Sequence, residues 1–243
     1  MKTKLLLITA LFVSPIFIKV NTGEDVIKLM YQKYANKWGR TLVFDQTTEI
    51  YHDTSKKVQT WHESVLFPDK LRIDIEPIAA GNALIFRGDS TYNISDGKIK
   101  TASPQGNDLI FLLGGLYFYP LEKTLEKMKA QGYDLSKVSE GTYNGKSIYI
   151  IGASSKDEKA SQLWVNKGDL YLVRMIKYDK NVKQDAIFED YIKIGGGGAE
   201  TKVTFYLNDK LRQVETYHNC RLMPGIDEKI FNPQHFEKIT YKN

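Results

Sequence analysis

The sequence predicts a mainly β, α+β chain: a curved antiparallel sheet of roughly ten or eleven strands, with one N-terminal and two central helices on its concave face. Three observations predict it. Runs rich in Val, Ile, Thr, Tyr and Phe recur through most of the 243 residues. Short polar turns, several of them Asp-Gly or Gly-Asp, separate these runs. Helical periodicity is confined to two places, so the strand-helix alternation of a parallel α/β sheet is missing.

Elements follow in order. Met1–Lys4 is a positive start, Leu5–Val13 an apolar stretch and Pro15 a breaker, so residues 1–22 are read as a signal peptide with no clear cleavage site. Residues 23–243 are read as a single domain. No cysteine lies near the apolar stretch to mark a lipid-attachment site, so the exported chain is expected to be free in the periplasm. Glu24–Trp38 carries Val26, Ile27, Met30 and Tyr34 at helical spacing, with Gly39 as the stop. Strands are then expected at Thr41–His52, Lys57–Phe67 and Leu71–Glu76. The last alternates Leu71, Ile73 and Ile75 against Arg72, Asp74 and Glu76. Ala83–Arg87, Ser90–Ser95 and Lys98–Ala102 are short strands around Gly88-Asp89 and Asp96-Gly97. Pro120–Gly132 reads as a helix with proline at its first turn. Strands resume at Ser147–Ala153, Ser161–Lys167, Leu170–Tyr178, Ala186–Ile194, Lys202–Leu207 and Leu211–Leu222, with Gly195–Gly198 as a flexible hairpin loop.

Charge and motifs narrow the function. The formal charge is +5. Without Lys2, Lys4 and Lys19 the 34 basic residues fall to 31, against 29 acids, so nucleic acid is not an expected partner. His52, His62, His218 and His235 lack metal spacing, and no G-x-S-x-G places a nucleophile. Cys220 stands alone and reads as an inert thiol. No catalytic residue, metal ligand or cofactor site is assigned, and the chain is not read as an enzyme.

Leu109–Tyr119 is the informative stretch: apart from Asp108 just before it, it is uncharged and apolar. It is either a core helix or a lid over a hydrophobic cavity. Gly114-Gly115 weakens it as a helix by about 1 kcal/mol per glycine relative to alanine, which suits a segment that opens. The predicted cavity surface is Leu71, Ile73, Ile75, Leu84 and Phe86 from the sheet. Leu109, Leu112, Leu113, Leu116 and Phe118 face them from the helical side. Such a surface would hold an acyl chain at about 0.8 kcal/mol per buried methylene.

FPDKLRIDIEP at Phe67–Pro77, Asp96-Gly97, LWVNKGDLYLVRMIKYD at Leu163–Asp179 and MPGIDEKIFNPQHF at Met223–Phe236 together resemble the periplasmic outer-membrane lipoprotein carrier (LolA-like) superfamily. The last segment is similar to its divergent Bacteroidetes-type members. Pro68, Arg72 and Pro77 carry the family pattern. The resemblance implies a half-barrel closed by helices and an acyl-binding interior. It also implies a monomer that carries lipoproteins or other lipids towards the outer membrane, with inner- and outer-membrane transport proteins as partners. The family's arginine before the first proline is Phe67 here, so the latch it forms to the lid does not carry over. Arg72 lies on the face opposite Leu71 and Ile73 and reads as half of a surface ion pair. Two further readings stay open. One is a sensor or scaffold module that binds a partner protein on the same fold. The other is a secreted hydrolase, which needs two carboxyls or a Ser/His pair in a cleft; acids are plentiful, but nothing singles out a pair.

Overall fold

A computed structural model describes residues 19–154, 159–237 and 239; the proposed signal segment thus lies almost wholly outside the described residues. Helix α1 spans Gly23–Tyr34. Thr22 caps it: its hydroxyl accepts from the Asp25 amide, and the Asp25 carboxylate accepts from the Thr22 amide at 3.0 Å. Val26, Ile27, Met30 and Tyr34, the predicted stripe, are its buried face.

The first half of the sheet is a meander of β1 (Thr41–Tyr51), β2 (Lys56–Leu66), β3 (Lys70–Ile75), β4 (Asn82–Arg87), β5 (Ser90–Ser95) and β6 (Lys98–Ser103). The helical interlude follows: α2 (Asp108–Leu112), a 3₁₀ turn over Gly115–Phe118, and α3 (Leu121–Ala130). The second half runs β7 (Val138–Tyr143), β8 (Lys146–Ile151), β9 (Gln162–Asn166), β10 (Leu172–Asp179) and β11 (Val182–Glu189). A small hairpin, β12 (Ile192–Ile194) and β13 (Gly197–Ala199), precedes β14 (Lys202–Leu207) and β15 (Lys210–Arg221). Thirteen strands form one sheet in the order β6-β5-β4-β3-β2-β1-β15-β14-β11-β10-β9-β8-β7. All pairings are antiparallel, and the β1–β15 ladder joins the two halves. The sheet is an open, mostly β half-barrel, as expected in class.

The details differ in four places. The sheet has thirteen strands rather than ten or eleven. β7 was not expected because VSEGTY lacks apolar alternation, yet it pairs with β8 along its whole length. Ala186–Ile194 is two elements, and the glycine run is not a flexible loop. Gly197 and Gly198 are buried in β13, where a Cβ would stand 2.4 Å from the Trp38 ring and 2.5 Å from the Tyr171 ring. Finally, Leu109–Tyr119 is not one helix. It breaks at Gly114, where a Cβ would lie 2.6 Å from the Phe67 ring, and Gly115 sits against the Pro68 carbonyl. The glycine pair is a close-packing device that lets the segment lie flat on the β2–β3 connection.

Two apolar clusters result on the concave side. The larger joins α1, α3 and the second half of the sheet, with Leu112, Leu116, Met128, Leu163 and Phe188 at its centre. The smaller joins β1–β3 to α2 through Phe44, Trp61, Val65, Phe67, Leu71, Ile73 and Ile110. Trp38 packs against both.

The convex face is also covered. The chain after β15 folds back over β3–β5, and Phe236 packs on Ala83, Ile85 and Ile94. Arg72 holds it there, which corrects the surface ion-pair reading. The side chain is fully buried. Its Nε and Nη2 donate to the two Asp74 carboxylate oxygens, both at 2.8 Å. Nη1 donates to the Ile230 carbonyl at 3.0 Å and Nη2 to the Glu237 carbonyl at 2.7 Å. The guanidinium lies 4.5 Å from the centre of the Phe236 ring.

Candidate functional site

Strand alternation places residues i and i+2 on one face. On the concave face this lines up Leu42 and Phe44 of β1, Trp61, Glu63 and Val65 of β2, Leu71 and Ile73 of β3, and Leu84 and Phe86 of β4. The ladders put Phe44, Glu63, Ile73 and Leu84 in one row across four strands. Phe205 of β14 and Gln213, Glu215 and Tyr217 of β15 continue the wall beyond β1. Asn107, Leu109, Ile110 and Leu113 of the α2 segment form the opposite side, with Gly198, Ala199 and Glu200 from the β13 end. Between them lies a cavity of about 280 Å³. A groove of about 410 Å³ adjoins it and shares Phe86, Asn107, Leu109 and Phe205.

Of the ten residues predicted for a cavity, six line this one: Leu71, Ile73, Leu84, Phe86, Leu109 and Leu113. Ile75 lies beside them in the smaller cluster but not on the wall. Leu112 and Leu116 turn the other way into the larger core, 3% and 1% exposed, because α2 is too short to present one face to one neighbour. Phe118 stacks on Phe67, ring centres 5.8 Å apart and nearly parallel. Thus the family latch position is occupied here by an aromatic contact to the central segment. Pro68 and Pro77 each follow a cis peptide bond at the ends of the β3 turn region, and Pro68 receives Gly115.

Sequence reasoning passed over three residues of this cavity: Glu63, Glu200 and Glu215, each at most 8% exposed. Their signal was present as acids inside apolar alternation, Trp61-Glu63-Val65 on one strand and Gln213-Glu215-Tyr217 on another. Burial raises all three. Glu63 is pushed well above the ordinary carboxyl range by burial and then by Glu215 and Glu200. Glu200 is pushed up to about 8 by burial, against the pull of its own amide and with a further push from Glu215. Glu215 is raised less simply: burial raises it, while hydrogen bonds from Tyr217, Gln213 and Gln46 pull it down. The Tyr217 hydroxyl donates to Glu215 Oε2 at 2.7 Å and Gln213 Nε2 donates to Oε1 at 2.5 Å.

Elsewhere the chemistry is quiet. Among the described residues no group of three or more His, Cys, Asp and Glu is arranged to hold a metal. The Cys220 thiol is pushed up to about 11, mainly by burial, which keeps it protonated and unreactive. No described helix is long and apolar enough to cross a membrane.

No family model and no curated protein matches this sequence. Solved structures do resemble it. A DUF1329 family protein from Desulfovibrio piger aligns with a TM-score of 0.58 at 15% identity, over 88% of this chain and 98% of its own. A putative outer membrane lipoprotein-sorting protein domain from Vibrio parahaemolyticus gives 0.58 at 11% identity, over 87% and 98%. A LolA superfamily protein from Nitrosomonas europaea gives 0.56 at 13% identity, over 88% and 99%. The three align over nearly their whole lengths, and at such identities the likeness defines architecture alone: this chain has the LolA-like fold.

Proposed function

We propose that this protein binds an acyl chain, or a similarly slender apolar ligand, in the concave cavity. We further propose that it serves in the periplasm to move lipoproteins or other lipids towards the outer membrane. The observation that carries the reading is the cavity itself: about 280 Å³, walled mainly by apolar side chains of β1–β4 and α2. Well-packed interiors leave few voids larger than a water, which supports reading this room as a binding site. It sits near the lower end of ligand pockets, which start at about 300 Å³. The fold it shares with a lipoprotein-sorting domain and a LolA superfamily protein supports the same reading.

Size sets what the cavity can hold. An apolar cavity of about 150 Å³ takes a benzene, so this one has room for roughly a dozen carbons by the same ratio. Burying them yields about 9 kcal/mol at ~0.8 per methylene. Association costs at least ~4 kcal/mol, so one chain alone would bind no tighter than a dissociation constant of about 0.2 mM. Tighter retention requires the adjoining groove, a widened cavity or a polar contact. The proposed ligand contacts are Leu71, Ile73, Leu84, Phe86, Leu109 and Leu113. Leu112, Leu116 and Phe118 hold the segment that covers them.

Native mass spectrometry of the protein taken gently from its source envelope tests the reading. The expected result is a bound species with the mass of a lipid or acylated peptide. Empty protein that also fails to bind acylated peptides in vitro would count decisively against transport.

A further inference from the structure

The cavity walls include three carboxyl side chains and no Lys, Arg or His. Glu215 has two side-chain donors on it, from Gln213 and Tyr217. Glu63, 7% exposed and in the middle of the Phe44–Ile73–Leu84 row, accepts no hydrogen bond from any described residue. Two residues earlier on the same face of β2, Trp61 is 8% exposed and its buried indole N–H has no acceptor. A carboxyl held in an apolar wall with no donor on it is costly in a purely structural role. It is accounted for if a guest supplies the donor.

From this geometry we infer that the cavity selects a chain carrying a nitrogen head, an alkylammonium-type amphiphile, with the nitrogen donating to Glu63 and Glu200. The inference rests on the reading that the cavity takes an apolar chain, and it specifies the head of that chain. An ammonium head brings hydrogen-bond donors and a positive charge that offsets the burial raising these carboxyls, so that one of them gives up its proton to solvent and pairs with the head in a charge-assisted contact. A carboxylate or phosphate head entering the same wall meets three acids and no lining cation to neutralise it. Two basic side chains, Lys177 and Arg212, line the adjoining groove instead, where Lys177 is already paired with Asp108.

The test is a matched series of twelve-carbon ligands, dodecylamine, dodecanol and dodecanoate, each competing for the full chain against one environment-sensitive fluorescent probe at pH 7.5, below micelle concentrations. Dodecylamine is expected to bind about tenfold or more tightly than dodecanoate. Joint Glu63→Gln and Glu200→Gln substitution is expected to abolish that preference, so that the amine and the carboxylate bind the folded variant alike. Equal binding of the amine and the carboxylate, or tighter binding of the carboxylate, overturns the head-group inference and leaves the cavity reading standing. Binding of none of the three by folded protein overturns both. The wild-type series alone decides the matter if the double variant does not fold.

Discussion

Replacing Arg72 by methionine should release the C-terminal cover from the convex face. Methionine keeps most of the stem volume, so the change removes the guanidinium without opening a large void. The structure sets the scale. Arg72 is fully buried and makes four hydrogen bonds, two to Asp74 and two to the carbonyls of Ile230 and Glu237. Its loss takes two donors from the Asp74 carboxylate, 2% exposed, and one from each of the two carbonyls. Breaking a buried pair from one side costs about 3–5 kcal/mol, because the remaining charge is uncompensated. For a domain of this size that lowers Tm by roughly 6 to 20 °C. Arg72→Lys should recover only part of the loss, since an ammonium cannot fork onto both oxygens and two carbonyls. Removing both charges, with Arg72→Met and Asp74→Leu, should recover more than Lys does. Thermal unfolding followed by circular dichroism measures the stability, and limited proteolysis reads the release of the segment after Arg221. Unfolding within about 1 kcal/mol of wild type, with unchanged protease resistance, would refute the anchoring role.

Three further outcomes follow from the same geometry. Gly115→Ala places a Cβ 2.4 Å from the Pro68 carbonyl oxygen and 2.9 Å from that of Ile110, both backbone atoms, so a loss of about 1–3 kcal/mol is expected in denaturant melts; a neutral result would mean the 3₁₀ turn does not pack as described. Glu200, raised to about 8 from the ordinary 4.5, costs nothing below pH 4.5, where both folded and unfolded forms are protonated. The cost grows as the unfolded chain ionises first and is complete above about 8, so Glu200→Gln should stabilise by several kcal/mol, to order of magnitude, at pH 9 and by little at pH 4; equal effects at both pH values would show that the group is charged in the fold. Leu84→Trp projects a larger side chain into the cavity from β4 and should abolish dodecanol binding while Tm changes little; retained binding would place the ligand elsewhere.

Much of this fold is written in local pattern. The Leu71, Ile73, Ile75 alternation, the Val26, Ile27, Met30, Tyr34 stripe and the Asp-Gly turns each act within a few residues, and each is found where its period places it. What escaped depends on partners distant in the chain. Arg72 alternates with apolar residues and so reads as solvent-facing; only the return of residues 230–237 to the convex face buries it. Glu63 and Glu215 lie on separate strands some 150 residues apart, brought to one wall by the β1–β15 ladder. No period in either segment announces that pairing. The glycine pair was legible as a helix breaker but not as a packing surface, because the Phe67 ring and Pro68 carbonyl that demand it belong to another element.

Two buried polar groups within ten residues of one another show how structure and function separate in this sheet. Arg72 and Glu63 sit on adjacent strands, on opposite faces, and both are nearly withdrawn from water. The Arg72 guanidinium makes four hydrogen bonds within the chain, so its desolvation is largely offset there, and removing it subtracts stability. Glu63 meets other acids and no side-chain donor among the described residues, so its burial is opposed by the fold that imposes it. Hydrophobic residues of the same size would make a more stable wall at that position. A fold that keeps the acid there carries a free-energy cost that proton uptake reduces and that a donor from outside the chain would relieve further. Substitutions at Arg72 should therefore lower stability and spare ligand selectivity, whereas apolar substitutions at Glu63 should raise stability and abolish the selectivity.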